Sequence, residues 1–499
     1  VPDYMGIFGH PIPDAYVPFL TDKALVIKGG DSVLYGSNAM GGVLVFRSRW
    51  RRDEGIEWSN DVAYGSYATV RETVAGLAKW NNFELATAFH AMTTDGHRAG
   101  AGGNQVVGLA AARYGFRSDL RLTIREKFVH LVGADPGPVS HPYSNHWYDV
   151  WRSNTSARLE WAPRMLSLSL TPYFNFGEHR LYDGFLSQDT VTGAIVEGSL
   201  RLHRTTRLLL GLSGQHVGGD IDNRVSKEET PMEALTELSG YGQVTIQPWR
   251  WLTLVAGGRG LHSFTWGTRF LYKAGVKWTP LGWLALHSRI SRNFRAPTLR
   301  ELYLPFPTAN PDLKPETSLN WDVGFSIETQ HFEAALTAYR TQADDLIRTF
   351  GVWPAAEVVN VDQVLVWGGE GRVAVKELGP LSVSLSGDWR DVGRYTRQNP
   401  EAKVNFIVAL AKPFGRHFLG ASLTGEWVHG LYMANYSRNQ LDDVYLMDLA
   451  IRYRYAFPDR GVTLEPYVFL RNCLNQQTAY VEGYPMPGFN VLIGLKVGI

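Results

Sequence analysis

Four groups of residues in this 499-residue chain have types and spacing that could do chemistry. Near the start, Gly9-His10-Pro11-Ile12-Pro13-Asp14 sets an imidazole and a carboxylate on a Pro-stiffened loop. His10 and Asp14 are read as candidate ligand contacts, against the plainer alternative of an ordinary turn-rich loop. From His130 to Trp151 the chain gathers His130, Asp135, His141, His146, Trp147, Tyr148 and Trp151, a mixture suited to an aromatic binding surface. The irregular spacing of these histidines does not match a metal site, and no metal is assigned. Arg292, Arg295, Arg300 and Glu301 form a third group. Their guanidinium forks could grip carboxylate or catecholate groups of an anionic ligand, Arg295 being the candidate contact, or they could order their own loop. The fourth group is the run Gly36-Ser37-Asn38-Ala39-Met40-Gly41-Gly42. Glycine-rich backbone can cradle a phosphate, but no Lys-Ser/Thr pair follows, so tight turns and close packing explain these glycines better. There is no Gly-x-Ser-x-Gly elbow and no His-Glu-x-x-His, so an enzyme is not indicated. No cofactor is expected.

The elements that must position these residues are strands. From about residue 56 onward apolar side chains recur at every second position over stretches near ten residues, broken by turn-rich segments. In Tyr445 to Phe457, one face carries Tyr445, Met447, Leu449, Ile451, Tyr453, Tyr455 and Phe457, while the other carries Asp448, Arg452 and Arg454. Arg164 to Phe176 and Leu319 to Glu328 alternate likewise. Roughly 22 such segments can be marked, more than two stacked sheets could hold without exposed edges, whereas a closed barrel can turn every apolar face to lipid. Short turns such as Lys79-Trp80-Asn81-Asn82 alternate with insertions such as His130 to Trp151 and Phe294 to Pro315. Trp and Tyr cluster at strand ends, where interfacial girdles belong. The fold expected is therefore all-β, a transmembrane antiparallel barrel of about 22 strands.

Composition agrees. The 51 Gly and 62 aromatic residues accompany a mean hydropathy of −0.17, and no unbroken apolar run is long enough for a transmembrane helix. With 49 Lys+Arg against 48 Asp+Glu, no bulk charge invites nucleic acid. The single cysteine, Cys473, excludes an internal disulfide.

Three motifs resemble those of one family. Val26-Ile27-Lys28-Gly29-Gly30-Asp31-Ser32-Val33-Leu34-Tyr35-Gly36-Ser37-Asn38-Ala39-Met40-Gly41-Gly42-Val43 is similar to the closing segment of the plug domain of TonB-dependent outer-membrane receptors, with Leu34, Tyr35, Gly36, Ser37, Ala39, Gly41 and Gly42 carrying the match. Ser291 to Tyr303, through Phe294, Arg295, Pro297, Glu301, Leu302 and Tyr303, with Asn310-Pro311 and Pro315-Glu316 downstream, resembles the central barrel signature. Asn472 to Asn475, Tyr480, Gly483 to Gly488 and the strand Phe489 to Ile499, with Gly494 and Ile499, resemble the C-terminal signature, although Ile499 replaces the usual terminal aromatic.

The resemblance implies residues 1–50 as the C-terminal part of a plug lying in the lumen and a barrel over 51–499, with the Val26 to Val43 segment leading directly into the first barrel strand. It implies a monomeric, multi-pass receptor of the cell outer membrane, set in lipid and lipopolysaccharide and energised by the TonB-ExbB-ExbD complex, with no nucleic-acid partner. Its cargo would be a ferric siderophore or similar chelate, with cobalamin or haem as alternatives. A passive porin and an outer-membrane lipase are the rivals from other classes. Two departures stand out: Leu25 occupies a commonly acidic position, so the plug-to-barrel ion pair made by that acid is expected to be missing, and Gly30 replaces a usual Pro. About 50 residues ahead of the barrel are far fewer than a whole plug, so a fragment lacking the TonB-binding segment is expected.

Overall fold

A computed structural model describes residues 20–223, 228–230, 233–304, 309–350, 356–393, 399–433 and 439–499. Twenty-two antiparallel strands run in sequence order around a closed barrel, from Gly55–Gly65 to Asn490–Gly498, with a three-residue strand, Glu228–Thr230, appended to the edge of Thr206–Asn223. Closure comes from the C-terminal strand: Leu492 to Gly498 pair with Gly65 to Ser59, while their other edge pairs with Val462–Arg471. Each of the 22 wall strands thereby has a partner on both sides, as lipid requires.

Alternation fixes the two faces. In Gly267–Leu281, Phe270 (65% exposed) and Tyr272 point outward while Leu271 and Lys273 are buried inward. Leu168, Leu170 and Phe174 are outward in Leu166–Leu181, and Trp321 and Val323 in Glu316–Glu328. Outward apolar side chains gain by facing hydrocarbon, and inward polar ones stay with water or with one another. Connections of two to four residues, such as 81–82 and 250–251, lie at one end, while the other end carries longer excursions such as 135–146, 296–315, 430–443 and 472–489. Trp249 stacks on Trp251 at the short-turn end, ring centroids 4.9 Å apart, as an interfacial anchor would.

Inside the barrel lies a hairpin of β1 (Thr21–Lys28) and β2 (Gly42–Ser48), joined through a single helical turn α1 (Ser32–Tyr35) and the glycine-rich run. β2 and a linker thus stand between the motif and the first wall strand at Gly55, which corrects the expectation of a direct passage. The second difference concerns the insertion read from His130 to Trp151. His130 sits in strand Leu120–Ala134, Trp147, Tyr148 and Trp151 sit in strand Trp147–Trp161, and only 135–146 is loop. Polar residues near the tops of these strands hid the pattern, because strands that continue beyond the lipid no longer need an apolar outer face.

Candidate functional site

The hairpin is held to the wall at one well-packed patch. Asp31 and Lys273 form a buried ion pair, with Nζ donating to both carboxylate oxygens at 2.8 and 3.0 Å. An ion pair between the lumenal segment and the wall is therefore present despite Leu25; the carboxylate comes from Asp31 instead. Around it, the Ser32 N–H donates to Asn293 Oδ1 (2.9 Å), Ser291 Oγ donates to the Gly30 carbonyl (3.1 Å), and Arg289 Nη2 donates to the Lys28 carbonyl (2.6 Å) while its Nε holds Asp322 (3.0 Å). Arg259 joins from the next strands, donating to the Val33 carbonyl (3.3 Å), Ser213 and Ser239. The carbonyls and N–H groups of a non-repetitive segment need partners once buried, and the inward polar side chains of Leu252–Ser263, Gly267–Leu281 and Leu284–Arg295 supply them.

The motif residues divide the work. Leu34 packs beside Val33 against Leu261, Leu271 and Phe294, which seats α1 on the wall. Tyr35 stays partly exposed in the lumen, where burial raises its phenol pKa above the ordinary value. Gly36 ends α1 at φ +78°, a conformation open to glycine without strain. Ser37 accepts the Ala296 N–H at 2.9 Å, and buried Ala39 presents its carbonyl to the Asp31 N–H at 2.9 Å. Gly41 faces open space, and Gly42 starts β2 against the Ile27 carbonyl. At Gly30 a side chain would overlap the Asn293 amide, so the exchange of Pro for Gly coincides with a close backbone approach.

Directly after Leu284–Arg295 the chain turns into the lumen. Pro297 is buried and Thr298 caps α2 (Leu299–Tyr303), its hydroxyl accepting the Glu301 N–H while the Glu301 carboxylate accepts the Thr298 N–H. Arg295 grips the same Glu301 with two parallel bonds of 3.0 Å and reaches Glu316 at 2.7 Å. This fork is committed to its own loop, the structural alternative considered for it. Leu299 and Leu302, with Leu304 and Leu313, pack against Tyr173, Val191, Val217 and Ile221 on one wall and Ile347 and Val358 on another. The Tyr303 hydroxyl faces Glu233 at 3.5 Å, with its phenol pKa pushed up by burial and then by that carboxylate. Asn310 donates to the Val358 carbonyl at 2.8 Å, exposed Pro311 turns the chain, and buried Pro315 returns it to Glu316 in the next strand. An apolar insert across the upper lumen was not foreseen; Thr298-x-x-Glu301 followed by Leu302 was the capping signal that could have revealed it.

The other candidates are dispersed. His10 and Asp14 lie outside the described residues. His130 points outward, bonded to Asp149 at 2.9 Å and stacked on Trp151 at 3.8 Å. His146 is sandwiched between Tyr143 and Tyr182 at 4.4 and 3.7 Å, at the loop-bearing rim, near exposed His141 and Trp147. Tyr148 turns inward over Gly133. Arg292 is exposed on the outer face, away from Arg295. The C-terminal signature is a brace: Asn472, at φ +48°, donates to the carbonyls of Gln476 and Pro487, Tyr480 bonds Glu426, and Gly494 leaves room for the Tyr467 ring. Ile499 exchanges both backbone hydrogen bonds with Trp58.

A 22-strand barrel with an apolar belt, a lumenal hairpin pinned by a buried ion pair and an inserted loop defines an outer-membrane receptor class. The family model described as TonB dependent receptor-like, beta-barrel, matches residues 33–491, and the chain belongs to that family of outer-membrane receptors, which serve uptake of iron siderophores, haem or vitamin B12 and interact with TonB; they are transporters, not enzymes. An iron-regulated outer membrane virulence protein of Vibrio cholerae serotype O1 is 23% identical, the alignment covering 98% of this chain and 81% of that protein. A vitamin B12 transporter of Vibrio vulnificus is 28% identical over 28% of this chain and 23% of its own length. Among solved structures, the siderophore receptor PirA of Pseudomonas aeruginosa superposes with a TM-score of 0.77 at 16% identity, covering 97% of this chain and 88% of that one. The copper transporter OprC gives 0.79 at 15% identity, covering 97% and 86%.

Proposed function

We propose that this receptor takes up a ferric siderophore by active transport, with residues 20–48 serving as the C-terminal part of its plug. The observation that carries the active step is the Asp31–Lys273 pair with its surrounding hydrogen bonds. Breaking a buried pair on one side leaves an unpaired charge and costs about 3–5 kcal/mol, so moving this hairpin needs work from outside the barrel. The outer membrane offers no nucleotide, and mechanical coupling through TonB, ExbB and ExbD supplies that work. The iron regulation named for the Vibrio cholerae relative, aligned over nearly the whole chain, favours an iron-bearing cargo over cobalamin.

Cargo is first met at the loop-bearing rim, where Tyr143, His146, Trp147 and Tyr182 offer aromatic surface. Titrating the purified protein with ferric catecholate, hydroxamate and citrate chelates, haem and cobalamin, read by tryptophan fluorescence, tests the cargo. Saturable tight binding of one ferric chelate is expected; binding of haem or cobalamin alone removes the siderophore assignment. A passive porin would conduct ions steadily in planar bilayers, whereas an occluded lumen conducts little.

A further inference from the structure

At the short-turn end of the lumen two arginines face each other with no acid between them. Arg201, near the end of Phe185–His203, and Arg207, at the start of Thr206–Asn223, are Cα partners across the turn at 204–205. Val196, Leu202, Leu210 and Leu212 are exposed on the outer face, so by alternation both arginines point into the lumen, where both are exposed. Like charges directly opposite on a sheet destabilise it. Elsewhere the lumenal wall answers cations with acids: Arg113 meets Glu84 at 3.2 Å, Arg289 meets Asp322 at 2.9 Å and Lys403 meets Glu426 at 2.6 Å. Among the described residues, neither Arg201 nor Arg207 has an ion-pair or side-chain hydrogen-bond partner. Of the acids on neighbouring lumenal faces, Glu197 is engaged by the Tyr241 hydroxyl at 3.1 Å and Glu160 by Arg158 at 3.4 Å.

Further cations and a hydroxyl surround the pair. Arg207 has Thr245 as its Cα partner on the next strand, and the row continues to Val255 and Gly275. One two-residue step from Gly275 toward the short turns stands Lys277, inward between outward Val276 and Trp278, exposed and likewise without an ion-pair partner among the described residues. Three inter-strand spacings and one such step separate the Arg207 and Lys277 Cα atoms by roughly 16 Å, a gap that two long side chains narrow to the width of a chelate. Exposed Arg204, in the turn, adds charge at the mouth. Above the arginines lies the seat of α1: Tyr241 and Arg259 are Cα partners, Thr245 stands four residues below Tyr241, and Arg259 holds the Val33 carbonyl. A ligand released past α1 toward the short-turn mouth meets these cations next.

We propose that Arg201, Arg207 and Lys277 form a receiving site for a polyanionic iron(III) chelate leaving the lumen at its short-turn end. The site rests on the uptake reading above and narrows its cargo to complexes bearing several negative charges, such as tris-catecholates. Guanidinium forks match catecholate or carboxylate oxygens in pairs, whereas a neutral hydroxamate complex offers no charge to answer. With such a ligand bound, the arginine pair exchanges mutual repulsion for charge-assisted contacts.

The test is native mass spectrometry of the detergent-purified protein, counting bound iron(III) tris-catecholate trianion against neutral iron(III) tris-hydroxamate, with inorganic phosphate as a competitor. The trianion should bind, more weakly as salt rises and undisturbed by equimolar phosphate. Losing charge-assisted hydrogen bonds, the R201Q/R207Q variant should bind it at least about tenfold more weakly, R201K/R207K should keep part of the affinity, and hydroxamate binding should not change. No bound trianion, equal binding of the trianion and the neutral complex, displacement by equimolar phosphate, or unchanged trianion binding in the Gln variant overturns the proposal. The comparison of chelates on the unaltered protein needs no variant, so it decides the matter even if the double substitution disturbs folding. In cells with TonB, R201Q/R207Q should lower the maximal rate of catecholate uptake while surface binding and the half-saturating concentration stay as they were. Absence of uptake by the unaltered protein would remove the siderophore reading alone, since binding to the purified protein judges the arginine site by itself.

Discussion

At the scale of single residues, charge pairing inside the lumen decides which contacts matter. Lys273→Ala leaves Asp31 buried and uncompensated, and the lumenal hairpin should be destabilised by about 3–5 kcal/mol. The expected readout is faster protease cleavage within residues 20–48 and raised bilayer conductance, with the heat-modifiable gel mobility of the barrel unchanged. Lys273→Met, which also removes the charge, should behave similarly, whereas the D31N/K273M pair should recover part of the loss, because no full charge then remains buried. Arg295→Ala should leave the barrel folded yet unsettle α2, since Glu301 and Glu316 both lose their cation. Hydrogen exchange at Leu302 and Leu304, whose N–H groups close the helical turn on Thr298 and Arg300, reads that loss directly. Asp31 shows how far sequence reaches here. Missing acid at Leu25 was legible, but that another carboxylate six residues on would meet Lys273 depended on register and on which wall strands faced the hairpin.

Among the elements, wall strands were the easiest to read and inserted segments the hardest. Val444–Phe457 and Asn490–Gly498 alternate cleanly because lipid on one side and lumen on the other impose a strict period of two. Leu120–Ala134 and Trp147–Trp161 were obscured because Glu126, His130 and Asp149 face outward above the apolar band, where Glu126 is satisfied by Ser153 and Thr155. The candidate contacts His130 and Tyr148 consequently fall on opposite faces of the wall, which spacing in the chain could not show. The loop after Arg295 combines a local signal with a nonlocal outcome: its capping box is visible in Thr298 and Glu301, but its destination between two walls is not. Leu299→Ala should cost about 2–5 kcal/mol of the loop's docking, as for other buried leucines. Increased hydrogen exchange confined to 296–304, with strand protection intact, is the expected result; spread of the effect to Val191 and Val217 strands would mean the insert also supports the wall.

For the whole molecule, pairing between Asn490–Gly498 and Gly55–Gly65 closes the wall, and the lumenal hairpin and the α2 insert pack against its inner face. A hairpin pinned to that wall by a buried ion pair calls for an external pull, and the family's interaction with TonB provides one. The most direct measurement is accumulation of a radiolabelled ferric siderophore by cells producing the protein, in paired strains with and without TonB. Uptake that saturates at low chelate concentration and disappears without TonB, while surface binding persists, is the expected result. Uptake that rises linearly with concentration and continues undiminished without TonB would contradict active transport through this barrel.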